Sequence, residues 1–379
     1  MSSLGSISSA LDNTAYDIGV FRVSNFKISL NNSNGVYSDV GNEESIFRYK
    51  RSESLIKITW EIEDFGGPFV GIAESEGGYL SEETTMFIGL LNDDSLVMDL
   101  SKQTVDFTCL GRESIFSKTI LPFGSISNGD LYSEVLYALL NLPAITDLLT
   151  VDALNISCGC DQTIDSIAGF QNKTVTEGLN LMLLASNSVL YIKNDTVYVS
   201  PRDAGATVAF TFHGQGSNTG AENVYNISNI KNGLGKTFNF FTWKATALYS
   251  TDITSTLKYG SITKELDYEF CTDTTKRQSI LDSLRDEFYA PKQEFDISTP
   301  LTYESLLVNL LDKVSINYPR VYVSVSGSGL PICGIAVCGS SVLPKALWDF
   351  AVADTDYYKV TGISLNILNS ILTFSVRLI

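Results

Sequence analysis

The amino-acid sequence predicts a mainly β protein with an α+β insert in the middle of the chain. Apolar and polar residues alternate in stretches before residue 115 and after residue 223, a pattern typical of strands. Between these regions the apolar residues recur with helical spacing. Tyr and Phe, which favour strands, number 18 and 20 among 379 residues. We therefore expect an arm with a first β domain (1–115), an α+β domain (116–222) and a second β domain (223–379).

The overall charge limits the kinds of molecule that the protein is expected to bind. The net charge of −17 argues against a protein that clamps nucleic acid, because duplex binding needs basic surface. An acidic surface can instead let DNA slide past without sticking. No apolar run approaches the length of a membrane span, and the first residues lack the basic and apolar pattern of a signal peptide. We expect no membrane span.

The first β domain begins with a polar stretch and one strong strand pattern. Residues 1–40 are rich in Ser, Asn and Gly and are predicted to form a partly extended arm. Residues 55–65 then alternate, with Ile56, Ile58, Trp60 and Ile62 on one face. The opposite face carries Glu61 and Glu63. Because the core has to cover the apolar face, both glutamates are predicted to lie on a solvated wall or a wall that lines a lumen. A hairpin is predicted next, from 86 through a turn at 92–94 to 111.

Helical spacing marks the middle domain. Residues 130–142 place five apolar residues on one helical face, namely Leu131, Val135, Leu136, Leu139 and Leu140. Thr174 and Glu177 form the Thr-x-x-Glu pattern of a capping box ahead of an apolar helix. Residues 189–200 are predicted to form a hairpin whose two-residue turn is Asn194-Asp195.

The second β domain combines strands with one helix. Strands are predicted over 237–248 and near 314–318 and 320–327. The helix between them is predicted over 273–288, capped by Asp273 and ended by Pro291, with Ile280, Leu281, Leu284 and Phe288 as its buried stripe.

The last 23 residues predict a hairpin that breaks at Asn369-Ser370 and carries a bulge at Gly362. Such a hairpin leaves an open edge unless a neighbouring strand, from this chain or from another copy, pairs with it. We expect it to serve assembly through the apolar residues of its second strand, Leu372, Phe374, Val376 and Leu378.

The two β regions resemble each other where their hairpins end. Residues 103–110 align with 370–377 so that Phe107 falls on Phe374, and a Gly-aliphatic pair precedes each across a turn. Duplication and chance similarity of alternating strands explain one aligned hairpin about equally well.

No set of residues predicts catalysis or a cofactor. Residues 233–237 imitate a phosphate-binding loop, but Ile230 stands where the motif needs glycine. The only histidine, His213, has no nucleophile elbow to work with. The six cysteines include two close pairs, 158/160 and 333/338, without metal-site partners, so they are predicted to be small buried hydrophobes. Glu61 and Glu63 lack the spacing of a calcium loop. We expect neither an enzyme nor a metal protein.

Three stretches carry a resemblance to a known family. The first, residues 255–316, contains a Lys-Tyr-Gly strand, a Thr-Asp helix start and a Leu-Leu-Asp-Lys-Val strand entry. The second, residues 357–379, closes with a Thr-Phe-x-Val-Arg-x-Ile strand, and the third is residues 174–202. Together they resemble the tail-tip or baseplate hub proteins of tailed bacteriophages and related injection systems. The resemblance implies two tube-like β domains, as barrels or split barrels, that flank a smaller α/β domain. It also implies that three subunits mimic a six-fold ring.

The implied function is that of a structural virion protein. It would be made in the host cytoplasm and would form a homotrimeric ring at the tail tip, continuing the tail tube around the DNA channel. Its partners would be tail-tube or distal-tail ring proteins, the tape-measure protein and fibre or spike proteins, with DNA passing unbound. A hexameric distal-tail or adaptor ring is the nearest alternative. A receptor- or carbohydrate-binding protein and a hydrolase are alternatives of other classes.

Overall fold

The fold is mainly β, as predicted, with helices concentrated between two groups of strands. The computed structural model describes residues 3–10, 23–33, 35, 55–62, 82–99, 101–122, 124–193, 195–202, 207–214, 223–231, 233–317, 357–366 and 369–379. The predicted strand at 320–327 lies outside these residues, as do Cys333 and Cys338.

One 11-stranded sheet dominates the molecule. Its first five strands are β1 (Ser3–Ala10), β2 (Asn25–Asn31), β3 (Leu55–Ile62), β4 (Glu82–Asp99) and β5 (Thr104–Gly111). Two strands of the middle region, β6 (Ser188–Lys193) and β7 (Thr196–Pro201), form a separate hairpin. The large sheet also contains β8 (Val208–His213) and β9 (Asn226–Lys231). A small three-stranded sheet consists of β10 (Phe240–Trp243), β11 (Tyr249–Thr251) and β12 (Thr263–Leu266). The large sheet is completed by β13 (Glu294–Pro300), β14 (Lys313–Asn317), β15 (Tyr357–Asn366) and β16 (Ile371–Leu378).

Six α-helices are described: α1 (Tyr132–Leu140), α2 (Pro143–Thr146), α3 (Val175–Ala185), α4 (Ile253–Tyr259), α5 (Thr274–Phe288) and α6 (Tyr303–Leu306). Helix α3 begins with the predicted capping box, in which the Glu177 carboxylate accepts the N–H of Thr174 at 2.7 Å. Helix α5 begins at the predicted cap, because the Asp273 carboxylate accepts the N–H groups of Thr275 and Lys276. These caps occupy backbone donors that the helices cannot satisfy internally.

The apolar side chains form three cores. One lies in the first β region around Phe26 and Phe107. A second surrounds Phe374 in the last β region. The third draws on two stretches of chain, 116–199 and 238–288. The buried stripe of α5 therefore packs with the middle region, although sequence spacing had placed this helix in the range of the second β domain.

Four local predictions are wrong. The Lys-Tyr-Gly segment, expected as a strand, forms the end of helix α4, and Gly260 is the C-cap of that helix. The expected turn at 92–94 is a bulge inside β4, and the chain turns at 101–103 instead. The expected strand 237–248 is split, because residues 244–247 turn the chain back and β11 pairs antiparallel with β10. Leu131 is the N-cap of α1 and is 38% exposed, so it does not share the buried helical face.

Candidate functional site: a strand unit that occurs twice

Two groups of five strands share one arrangement. In the first group the strands that follow each other along the chain, β1 to β5, lie in the sheet order β3-β4-β5-β2-β1. In the second group the chain order β9, β13, β14, β15, β16 gives the sheet order β14-β15-β16-β13-β9. Every neighbouring pair within both groups is antiparallel. The chain therefore contains the same five-strand unit twice, here called unit 1 and unit 2.

The registers of the two units agree at the aligned phenylalanines. Phe107 of β5 lies opposite Ile28 of β2, and Phe374 of β16 lies opposite Ile297 of β13. This match supports the predicted alignment of Phe107 with Phe374. The Gly-aliphatic pairs do not correspond, because Leu90 holds the position of Lys359 and not that of Ile363.

The outer strands agree in the same register. Three residues after Phe107, Leu110 pairs with Leu90, which in turn lies opposite Leu55. The corresponding positions of unit 2 form the same chain of partners, Arg377, Lys359 and Lys313. The strands β1 and β9 also each carry a register shift against their neighbours β2 and β13. Such coincidence over four strand pairs is not expected from unrelated sheets.

The two units are joined by one junction. Strand β1 of unit 1 pairs antiparallel with the second half of β15 of unit 2, from Ser6 opposite Asn366 to Ala10 opposite Gly362. The first half of β15 pairs with β14. The two units therefore form a continuous sheet, and among the described strands its pairing path runs from β3 to β9 without closing into a barrel.

The terminal hairpin lies inside this sheet. Its bulge occurs where predicted, between Val360 and Gly362. One edge of the hairpin is covered by β1 and β14 and the other by β13. Of the two kinds of neighbour that the sequence left open, strands of this chain therefore pair with both edges of the hairpin. Its role in assembly stays a prediction.

The four predicted hairpin residues face the core of unit 2 to different extents. Leu372 is 2% exposed and Phe374 and Val376 are fully buried, whereas Leu378 is half-buried. The ring of Phe374 packs at 5.3 Å, between centroids, from that of Phe212 on β8.

The predicted channel-facing glutamates are only partly described. The backbone of Glu61 pairs with that of Glu83 in β3 and β4, but the Glu61 side chain lies outside the described part of the structure. Glu63 lies wholly outside it. Their position on a lumen wall stays a prediction.

A buried charge cluster fastens α5 to the hairpin of unit 2. The Lys359 ammonium lies 3.1 Å from the Glu287 carboxylate and also donates to the carbonyl of Arg202. Lys292 reaches the other oxygen of Glu287 at 3.4 Å. Burial lowers the pKa of Lys359 to about 8, and Glu287 opposes that effect. Burial by itself would raise the pKa of Glu287, but Lys359, Lys292 and Arg377 outweigh it and the pKa is lowered. Sequence reasoning missed this cluster, although charged residues at 359 and 377 interrupt an otherwise apolar hairpin.

The described residues contain no grouping that indicates catalysis. No cluster of three or more His, Cys, Asp or Glu side chains that could hold a metal occurs among them. Cys109 and Cys271 are buried, and burial raises the pKa of both thiols, to about 12 and about 11. Buried Glu113, whose pKa is also raised by burial, accepts hydrogen bonds from the N–H and hydroxyl of Ser24 and so ties the segment before β2 to the sheet.

The motifs that the sequence analysis set aside are structural in the described residues. Gly233 has a φ of 73° and opens a three-residue 3₁₀ turn ahead of a strand, where a phosphate-binding loop would open a helix. The backbone N–H of His213 donates to the Asn223 side chain across a loop. No helix in the described part of the chain is long and apolar enough to cross a membrane.

Known structures share this fold. A tail protein from Neisseria meningitidis MC58 matches with a TM-score of 0.55 and 11% sequence identity, over 99% of this chain and 91% of that protein. A 43 kDa tail protein of prophage MuSo2 from Shewanella oneidensis matches with a TM-score of 0.52 and 10% identity, over 99% of this chain and 93% of that protein. Sequence comparison finds no matching protein family and no matching curated protein. The similarity therefore establishes a fold that phage tail proteins also have.

Proposed function

We propose that this chain is a structural tail protein that forms a homotrimeric hub ring at the tail tip. The observation that carries this proposal is the five-strand unit that occurs twice in one chain. Three chains would present six equivalent units, which matches the symmetry that a six-fold tube requires of a ring continuing it. The shared fold with phage tail proteins supports the same role. In this arrangement unit 1 and unit 2 supply the two tube-like domains, and the insert combines the middle region with residues 238–288, which share its core.

The charge of the chain suits a ring around DNA. A net charge of −17 gives a surface that repels phosphate, so DNA would pass without being held. We place Glu61 and Glu63 on the channel side of the ring. A structure of the assembled ring with both carboxylates on its outer wall would refute this placement.

The proposed partners are neighbours in a tail. They are tail-tube or distal-tail ring proteins, the tape-measure protein, and fibre or spike proteins. The protein would be made in the host cytoplasm and end in the virion. A hexameric distal-tail or adaptor ring is the second candidate, in which six chains would each supply one position of the ring. The duplicated unit favours the trimer.

Copy number tests the proposal directly. Light scattering of the purified chain, and class averages of the ring in assembled particles, should give three chains per ring and an apparent six-fold outline. Six chains per ring would favour the distal-tail alternative, and a single chain in the particle would contradict any ring.

A further inference from the structure

Each unit has one strand edge without a described partner, and the equivalent edge of the other unit is paired. In unit 2, the second half of β15 beyond its contact with β14 is covered by β1. In unit 1, β3 pairs with β4 only as far as Leu90, and in the described part of the structure no strand covers that edge of β4 over residues 91–99. Strand β9, the equivalent of β1, pairs with β13 on one side and with no described strand on the other.

Both uncovered edges expose large apolar side chains. On β4, Val97 is 59% exposed and Met98 is 36% exposed. On β9, Ile230 is 52% exposed, and Tyr225 just before the strand is 66% exposed. An uncovered strand edge with apolar side chains is a template for pairing with another chain, and proteins usually protect such edges with charges or cover them.

We propose that β9 of one copy pairs antiparallel with residues 97–99 of β4 in the next copy, repeating between chains the β1–β15 junction that exists within each chain. This inference rests on the proposed ring and names the surface that closes it. The occupant of the edge is a second copy of this chain, because the chain itself already contains the matching strand in the matching unit.

The internal repeat also sets the register on the β4 side. Leu365 of β15 lies opposite Leu372, two residues before Phe374. Met98 of β4 lies opposite Val105, two residues before Phe107. Met98 is therefore the counterpart of Leu365.

The same reasoning sets the register on the β9 side. In unit 1, Ser8 lies opposite Asn25, the residue that precedes Phe26. In unit 2, Lys231 lies opposite Glu294, the residue that precedes Phe295. Lys231 is therefore the counterpart of Ser8, and the residue before it, Ile230, is the counterpart of Ile7.

The junction then predicts three residue pairs between copies. Ile7 lies opposite Leu365 within the chain, so Ile230 should lie opposite Met98 of the next copy. By the same shift Lys231 should lie opposite Val97, and Asn229 opposite Asp99. The pair of Ile230 and Met98 would bury apolar surface that is now exposed. Lys231 would lie diagonal to Asp99, within reach of a long side chain on the same face.

Cysteine pairs test this register. Residues directly opposite in an antiparallel pair have Cα atoms roughly 4.5–5.5 Å apart, within the range of a disulfide. The variant carrying both I230C and M98C should form, on mild oxidation, a ladder of covalent products that stops at three chains. A mixture of the two single variants should stop at two chains, because each chain then offers one partner only.

Matched controls separate the effect of strand register from the general reactivity of the introduced cysteines. The pair I230C with V97C should not link, because neighbouring residues of a strand point to opposite faces. The pair I7C with L365C should link within one chain, since these residues already face each other in the backbone register. The unsubstituted chain shows the background from its native cysteines under the same oxidation.

A second variant tests the edge without cysteine. I230D should abolish the three-chain species while leaving the thermal unfolding of the single chain unchanged. L154D is the matched control, because Leu154 is 91% exposed in the middle region, and it should still assemble.

The outcomes separate this inference from the proposed function. A three-chain mass by light scattering without the I230C/M98C ladder would overturn the assigned edge while the hub proposal stands. A one-chain mass at every concentration and in particles would overturn the hub proposal itself. A link between the two cysteines inside one chain would show that the edge of β4 is covered by its own chain, and would also overturn the assignment.

Discussion

The burial of Phe374 predicts that the terminal hairpin acts first on folding and only then on assembly. The side chain is fully buried, lies between Ile363 of β15 and Ile297 of β13, and packs against the ring of Phe212. Its replacement by Ala removes a whole ring from a packed core, which typically costs ~3–5 kcal/mol. Leu378 is half-buried, so L378A should cost less, about 1–2 kcal/mol.

Urea unfolding of the unassembled chain measures both values, with circular dichroism as the probe. F374A should lower the midpoint strongly at all protein concentrations, because both neighbours of the hairpin belong to the same chain, and L378A should lower it less. A loss of ~3–5 kcal/mol takes much of the stability of a typical domain, so failed ring formation should follow unfolding. If F374A unfolded like the wild type but failed to assemble, this reasoning would be refuted, and the hairpin would instead lie at an interface between copies.

Three further predictions concern single positions outside that strand. G233A should destabilise the chain markedly, because a Cβ there would lie 1.9 Å from the carbonyl oxygen of Lys292 and the φ of 73° is strained for alanine. Thermal unfolding measures this loss of stability. E287Q should cost ~3–5 kcal/mol, because it leaves Lys359 buried without its counter-charge, and urea unfolding of E287Q with and without K359M measures the coupling. Burial alone would raise the pKa of Asp165, but hydrogen bonds, first among them the one from Lys276, lower the pKa from 3.8 to about 2. The Asp165 carboxylate therefore stabilises the fold above pH 3.8, and this stabilisation is lost as the pH falls through about 2. The difference in stability between wild type and D165N should shrink between pH 5 and pH 2.

Local signals predicted helices α1, α3 and α5, whereas the shorter α2, α4 and α6 were not predicted. The cap of α5 and the capping box of α3 depend on residues within one helical turn, so they can be read from the sequence without knowing the fold. The hairpin of β15 and β16 was predicted for the same reason, down to the bulge at Gly362. The turn at 92–94 was wrong because a polar Asn-Asp-Asp run suits a bulge as well as a turn. The chain turns instead where Asp99 accepts backbone N–H groups and Gln103 adopts a φ of 52°.

The junction between the units could not be predicted. Strand β1 is largely Ser, Gly and Ala and carries no clear alternation, and its partner β15 lies at the other end of the chain. Pairing of that kind is decided by the whole sheet and not by either strand. The aligned residues Phe107 and Phe374 gave one sign of duplication, but only the registers of four strand pairs made it decisive. Those registers also show that each of the two edges without a described partner strand matches an edge that is paired in the other unit.

One place where the two units differ accounts for the way α5 attaches to unit 2. In unit 1 the paired positions of β4 and β5 are Leu90 and Leu110, and Leu90 is 4% exposed. In unit 2 the same paired positions are Lys359 and Arg377, which are equally buried but charged. Buried charges require partners, and Glu287 at the end of α5 supplies one. A leucine pair needs no such partner. The repeated unit therefore keeps its strand pairing, which a ring of equivalent units needs, and differs at a buried pair of positions where unit 2 binds α5 through charged side chains.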